Sequence, residues 1–267
     1  MDQAFSVWSH TVGSGGFAVK EFTKIAVDYD KGRRGEDVGF WAGEAERFGG
    51  LGCGSRVLDL GCGTGLYTVG IAERTSASMC GHDPAVGMLA QARMKSSEVL
   101  WFNAVGESLP FRPEVFDCVF SSQVWHHITD KQGTAHECGR VLKGDGVVII
   151  RTISHEQLKE KVVFTYFPEI LANQLSVYPS DEDFALYFGD AGFTSTDHHA
   201  YGLERHQAPS EFIEVAQKKL WSMFRPISRE GLERGVEELR RFERENPGET
   251  IRNDETITLV VARKGPA

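Results

Sequence analysis

No stretch of this 267-residue chain approaches the roughly 20 consecutive apolar residues that a membrane helix needs. The segment Met1 to His10 lacks the basic flank and apolar run of a secretory leader, so the expected address is the cytoplasm. Cysteine is scarce and badly spaced for chemistry. Cys53, Cys62, Cys80, Cys118 and Cys138 are odd in number and form no CxxC pair, which argues against a disulfide framework and a zinc site. Acidic and histidine residues do not cluster at ligand spacing either, so no metal is expected. A basic patch is also missing. The formal net charge is −9, and Lys31 to Arg34 and Arg240 to Arg244 are interleaved with glycine or acid, which disfavours nucleic acid and anionic lipid as partners. Repeats and low-complexity tracts are lacking.

What is present is an ordinary globular composition, 41% hydrophobic and 25% charged, long enough for one sizeable α/β core with elaborations. Apolar periodicity predicts helices over Phe17 to Val27 and Val38 to Phe48, joined by a loop holding Tyr29, Asp30 and Arg33. Short β-branched runs follow at Val57 to Leu60, Met79 to His82, Val99 to Asn103, Cys118 to Ser121 and Val147 to Arg151. Helices are expected between them at Leu66 to Thr75, Val86 to Met94 and Lys131 to Leu142, the last ended by a Lys143-Gly144-Asp145-Gly146 turn. Such alternation implies a parallel sheet with crossovers. Beyond residue 151 the pattern changes to an aromatic-rich helical stretch, His155 to Leu175, and a helix over Asp181 to Ala191. A strand over Thr194 to Tyr201, helices near Ser210 to Met223 and Ser228 to Glu245, and a closing strand over Thr256 to Ala262 complete the chain.

The sharpest local signal is Val57-Leu58-Asp59-Leu60-Gly61-Cys62-Gly63-Thr64-Gly65, an apolar strand running into a glycine-rich turn that opens a helix. Glycines 61, 63 and 65 permit positive φ and close approach of a ligand to bare backbone, beside unpaired amides of a helix N-terminus. The spacing is GxGxG, not the GxGxxG of dinucleotide enzymes, and Asp59 precedes the turn. A carboxylate there repels pyrophosphate and suits a ligand with a cationic amino group, such as the methionine moiety of S-adenosylmethionine. Tight packing alone is the competing explanation for a lone glycine turn.

Residues 57 to 151 resemble the class I S-adenosylmethionine-dependent methyltransferases, in particular the small-molecule branch related to ubiquinone biosynthesis. Val57 to Gly65 is similar to the first motif of that family. Gly81-His82-Asp83-Pro84 is similar to the second, which implies that Asp83 accepts from both ribose hydroxyls, with Pro84 and Met88 against the adenine; Asp83 follows Gly65 by 18 residues. Gly106-Glu107-Ser108-Leu109-Pro110-Phe111 resembles the third motif, over the adenine edge, although Val105 stands where an aspartate is usual. Phe116 to Gln123 resembles the fourth, implying that Ser121, Ser122 and Gln123 offer backbone to the methionine amine. Arg140 to Gly146 resembles the turn before strand five. Tyr29-Asp30-Lys31-Gly32-Arg33 resembles the entry loop, in which Tyr29 and Arg33 reach the methionine carboxylate. The resemblance implies a Rossmann-like, seven-stranded, mostly parallel sheet with helices on both faces. It also implies a single methyltransferase domain, with a helical cap at about 1–50, a cofactor core at about 51–152, lid insertions at about 155–191 and 205–250, and a closing strand at about 256–262.

Methyl transfer from a sulfonium asks mainly for alignment and exclusion of water. His126 and His127 follow the fourth strand at the edge where open α/β folds bind ligands, and either is a candidate general base; the alternative is that the pair packs beneath the cofactor or starts the next helix. His198 and His199 alternate faces on a strand and read as structural or exposed. Trp125, Phe164, Tyr166, Phe167 and Tyr178 are core aromatics or the wall of an apolar or aromatic acceptor site. The leading expectation is a small-molecule methyltransferase, monomeric or homodimeric. Methylation of RNA or protein, a non-catalytic S-adenosylmethionine-binding partner subunit and a nicotinamide dehydrogenase are the competing readings.

Overall fold

The computed structural model describes residues 17–27, 29–30 and 37–265. Two helices, α1 (Phe17–Ile25) and α2 (Val38–Gly49), precede a strand–helix alternation. It runs β1 (Arg56–Leu60), α3 (Leu66–Thr75), β2 (Ser78–His82), α4 (Val86–Lys95), β3 (Leu100–Phe102), β4 (Phe116–Ser122), α5 (Lys131–Val141) and β5 (Leu142–Thr152). With β6 (Phe193–Leu203) and β9 (Glu255–Lys264) these strands form a seven-stranded sheet in the order β3-β2-β1-β4-β5-β9-β6. β1 pairs in parallel with β2 and β4, β2 with β3, and β4 with β5, so the helices are the crossovers that parallel pairing demands. The expected Rossmann-like architecture is the observed one.

The chain divides into two compact units. The first comprises Met1–Thr152, Glu182–His199 and Leu259–Ala267, and the second Ile153–Asp181 and Ala200–Thr258. In the first unit the period-2 alternation of β1 decides which side chain meets which helix. Leu58 and Leu60 join Val119, Val148 and Ile150, the α5 residues Ala135, Cys138 and Val141, and Phe184 and Phe188 of α9 (Asp181–Asp190) in one buried cluster. Asp59 points the other way, to α3, where Tyr67 and Ile71 are buried.

Three sequence expectations need correction. The Lys143-Gly144-Asp145-Gly146 turn lies inside β5: the register steps from Phe116↔Leu142 to Cys118↔Val147, so residues 143–146 bulge opposite Asp117. Lys143 Nζ closes the bulge on Asp117 Oδ1 at 2.6 Å. The stretch from His155 is not one helix but three, α6 (His155–Glu160), α7 (Val163–Tyr166) and α8 (Glu169–Val177), because Lys161 turns extended (ψ 126°) and Pro168 interrupts the ladder. The helix expected over Ser210 to Met223 stops early, as α10 (Pro209–Gln217), followed by a 3-10 turn at Ser222–Phe224.

In the second unit α11 (Arg229–Glu245) is capped by the Ser228 hydroxyl, and β7 (His206–Gln207) pairs with β8 (Ile251–Arg252) in a ribbon too short to read from sequence. Its interior is aromatic: Phe167 packs edge-on to Phe224 at 5.0 Å, and Trp221 stacks on Phe224 at 6.0 Å. Phe164, Phe167 and Tyr178 are buried there and Trp125 is buried in the first unit, so four of the five aromatics considered for an acceptor wall are core residues.

Candidate functional site

Two carboxylates organise the C-terminal edge of β1 and β2. Asp59, near the end of β1, is 2% exposed and accepts from Thr68 Oγ1 at 2.5 Å, one turn into α3. Burial pushes its carboxyl up to about 7; the Thr68 bond opposes the rise and the charge of Asp83 adds to it. Asp83, just past β2, accepts from the Gly63 amide at 3.0 Å and the Ala85 amide at 2.7 Å. Its carboxyl is pushed up to about 6 by burial, against the pull of those two amides. Asn103 Nδ2 fixes the same corner by donating to the carbonyls of Asp83 and Pro84, at 2.9 and 3.0 Å.

The glycine turn is built from both strands. The amides of Gly61 and Cys62 donate to the His82 carbonyl at 2.9 Å, and the Gly65 amide closes the turn on Cys62 at 2.9 Å. All three glycines have positive φ, 74°, 53° and 78°, yet they serve different purposes. A Cβ on Gly61 would stand 2.5 Å from Val124, and one on Gly65 would stand 2.6 Å from Trp101. Around the same point on Gly63 nothing among the described residues lies within 4 Å. Two of the glycines admit the protein's own side chains, and the third presents bare backbone to open space.

A narrow cavity of about 30 Å³ opens there. Tyr29, Asp59, Gly61, Cys62, Gly63 and Ser122, each a cofactor candidate from the sequence, line it together with Thr64, Leu66 and Tyr67, which were not candidates. Their signal was present, since Thr64 lies within the glycine turn and Leu66 and Tyr67 follow it directly. Burial, together with the charges of Asp59 and Asp83, holds the Cys62 thiol well above its usual range, so it stays protonated.

Among the described residues, the other expected site residues do not line this cavity. Ser121 faces the opposite side from Ser122 and donates to the Leu60 carbonyl at 3.0 Å. Gln123 leaves β4 in the left-handed region (φ 57°), uncommon for a residue with a side chain, and its amide donates to the Arg151 carbonyl at 2.8 Å. Met88 is buried with Ala26 and Ala85, against Phe22, Ile25 and Tyr29, and so seats α1. Gly106 packs on Thr134 while Glu107 and Ser108 are exposed; this turn, bridged between Val105 and Ser108, is held by α5 through Glu137 to the Leu109 amide (2.8 Å) and Arg140 to the Phe111 carbonyl (2.7 Å). His126 and His127 occupy a single 3-10 turn, Trp125–His127, their rings 3.9 Å apart. His126 is half-buried, and His127 is exposed and edge-on to Phe22 at 5.0 Å. His199 lies half-buried against Phe48 at 4.5 Å. Arg33 lies outside the described residues. Among the described residues no group of three or more metal-ligating side chains occurs, and no helix is long and apolar enough to cross a membrane.

Comparison with known proteins converges on this segment. Residues 58–150 match the family described as a methyltransferase domain. The ubiquinone/menaquinone biosynthesis C-methyltransferase of Campylobacter jejuni is 24% identical over 221 residues, 69% of this chain and 92% of that protein. The ubiquinone biosynthesis O-methyltransferase of Klebsiella pneumoniae is 34% identical over 115 residues, 41% of this chain and 47% of that one. Phosphoethanolamine N-methyltransferase 2 of Haemonchus contortus, solved with S-adenosyl-L-methionine, shares the fold with a TM-score of 0.59 at 19% identity, over 95% of this chain and 61% of that one. The cofactor fits what the residues offer: an open approach to the Gly63 backbone and buried carboxylates suited to a cationic amine and to sugar hydroxyls. Residues 58–150 are therefore a methyltransferase domain, and the chain is an S-adenosylmethionine-dependent methyltransferase whose core is similar to enzymes of ubiquinone biosynthesis.

Proposed function

We propose that this enzyme methylates a small, largely apolar or aromatic acceptor, and that the cofactor binds along the glycine turn between Asp59 and Asp83. The observation that carries the reading is Gly63, left-handed, with nothing among the described residues near its absent Cβ and with its amide already held by Asp83. Bound there, S-adenosylmethionine supplies an electrophilic methyl carbon on a sulfonium sulfur, which keeps the electron pair of the broken bond when the acceptor takes the methyl group.

The chain's own residues orient and exclude. Asp83 takes the ribose hydroxyls on the acceptor capacity left beside its two amides. Asp59 faces the ammonium of the methionine moiety, with Ser122 and the backbone of Gln123 alongside. Tyr29 covers the same end, with Arg33 assigned to the methionine carboxylate. Pro84, Met88 and the turn Gly106-Glu107-Ser108 are assigned to the adenine side. Where the acceptor atom must lose a proton, His126 and His127 at the end of β4 are the residues to receive it.

Acceptor recognition we assign to the segments 155–191 and 205–250 of one methyltransferase domain. The small-molecule acceptors in the relatives' names support this class, and the charge of −9 works against a polyanionic one. Calorimetric titration with S-adenosylmethionine, S-adenosylhomocysteine and a nicotinamide dinucleotide tests the cofactor site. Micromolar binding of the first two alone is expected, and binding of the dinucleotide alone would overturn the assignment.

A further inference from the structure

We propose that Asp30 and Lys95 form a clasp that holds the Tyr29-bearing segment against the glycine turn and sets how long the cofactor stays bound. The proposal rests on the cofactor reading given above. Asp30 Oδ1 accepts from the Thr64 hydroxyl at 2.6 Å, and Asp30 Oδ2 from Lys95 Nζ at 2.6 Å. Lys95 Nζ also donates to the Thr64 carbonyl at 2.8 Å, so three groups close a ring. They come from three places: the segment after α1, the turn itself and the last turn of α4, where a cation is also favoured by the helix dipole. Thr64 is 2% exposed, so its hydroxyl needs a protein partner, and Asp30 is that partner.

Tyr29, next in the chain to Asp30, is a wall of the cavity beside Gly63. At about 30 Å³ that cavity is much smaller than a nucleoside. A nucleoside-sized ligand seated there lies against this wall, and the wall is tied down by Asp30. The ion pair is 29% exposed on the lysine and 39% on the aspartate, which makes it a contact that opens readily and that salt weakens. It is thus suited to slow release without blocking it.

The test is the dissociation rate of S-adenosylhomocysteine from the full chain, by stopped-flow displacement, for Asp30→Asn, Lys95→Met, Lys95→Arg and the Asp30→Asn/Lys95→Met double variant. Each of the first two single variants is expected to release the ligand roughly three- to tenfold faster, as for loss of one charge-assisted contact. The double variant should be no faster than the worse single one, because the two residues act as one unit. Lys95→Arg should restore most of the wild-type rate. Salt should accelerate release from the wild type and leave Lys95→Met unchanged. A wild-type rate in either Asp30→Asn or Lys95→Met, or effects that multiply fully in the double variant, overturns the clasp. A wild-type protein that binds no S-adenosylhomocysteine overturns the cofactor site itself, and the clasp with it.

Discussion

Glycines make room in both units, but for different occupants. In the second unit Gly231 and Gly235, four residues apart on α11, lie where a Cβ would collide with Glu169 and with the Phe167 ring, the latter position also 2.6 Å from the Tyr166 carbonyl. The absent side chains there let one helix settle on another, an arrangement sealed by Arg234, which reaches both oxygens of Glu169 at 2.9 Å. Gly61 and Gly65 in the first unit are glycines of the same kind. Of the three glycines in the turn, Gly63 alone keeps space that none of the described residues fills. A glycine in a sequence records that space is reserved, and only the surrounding atoms tell whether the reservation is for the protein or for a ligand.

The largest effect should come from Asp83→Ala. It removes the acceptor proposed for two hydroxyls and the partner of the Gly63 and Ala85 amides. Hydrogen bonds to a charged group contribute about 1.5–3 kcal/mol each, so affinity for S-adenosylhomocysteine should fall by roughly 100-fold or more while the fold persists. Calorimetry with a thermal melt checks both halves. Undiminished affinity in a folded variant would remove Asp83 from the site.

The glycine comparison is tested directly by valine at positions 235, 61 and 63. Gly235→Val and Gly61→Val press on filled space, and overpacking typically costs about 1–3 kcal/mol, so both should lower the melting temperature. Gly63→Val should lower it less, through its positive φ alone, at about 1 kcal/mol, and should still abolish cofactor binding. If Gly63→Val binds normally, or if Gly61→Val is as stable as wild type, the distinction between the two kinds of glycine fails.

These contrasts also show what the sequence could reveal. β1, the glycine turn and α3 were legible because their logic is local: alternation, then three glycines, then a helix beginning at Leu66. Asp83 was legible as a candidate through the resemblance carried by Gly81 to Pro84, with its distance beyond the turn in support. Thr68 was within reach, since a hydroxyl one turn into α3 lies beside the carboxylate at the end of β1, but its 2.5 Å bond to Asp59 appears only in three dimensions. Asp30 and Lys95 were not readable as a pair, because 65 residues separate them. The facing of Ser121 was not legible, because a resemblance transfers a strand end without its facing, and one step along β4 turns a side chain to the other side of the sheet. Beyond residue 152 periodicity found helices but not their breaks, which depend on Pro168 and on aromatic contacts between distant segments. Nothing in composition announces whether an aromatic is core or wall.

A smaller and graded effect should follow pH. The carboxyls of Asp59 and Asp83 rise from 3.8 to about 7 and about 6 in the folded chain. Each therefore keeps its proton in the fold at a pH where the unfolded chain has lost it, and stability falls as pH rises from about 4 to about 7. A cationic amine at Asp59 favours the ionised carboxylate, so binding should release protons and tighten across the same window. Affinity for S-adenosylhomocysteine should be roughly tenfold weaker at pH 6 than at pH 8. Asp59→Asn should flatten that dependence, and an unchanged slope in this variant would assign the titration to another group.

The smallest effects should be those of the single histidine variants. Neither His126 nor His127 lines the cavity beside Gly63, and their rings lie 3.9 Å apart on one turn, so each is placed to take over a proton from the other's position. His126→Ala and His127→Ala should therefore each lower kcat by less than about tenfold, whereas the double variant should lose about 100-fold if proton removal by this pair is part of the reaction. The acidic limb of the pH–rate profile decides how a loss is read. A limb that vanishes in the double variant places the base here. A double variant with near-normal turnover at every pH shows that alignment along the glycine turn is sufficient, and it would make the aromatic contact of His127 with Phe22 its whole role.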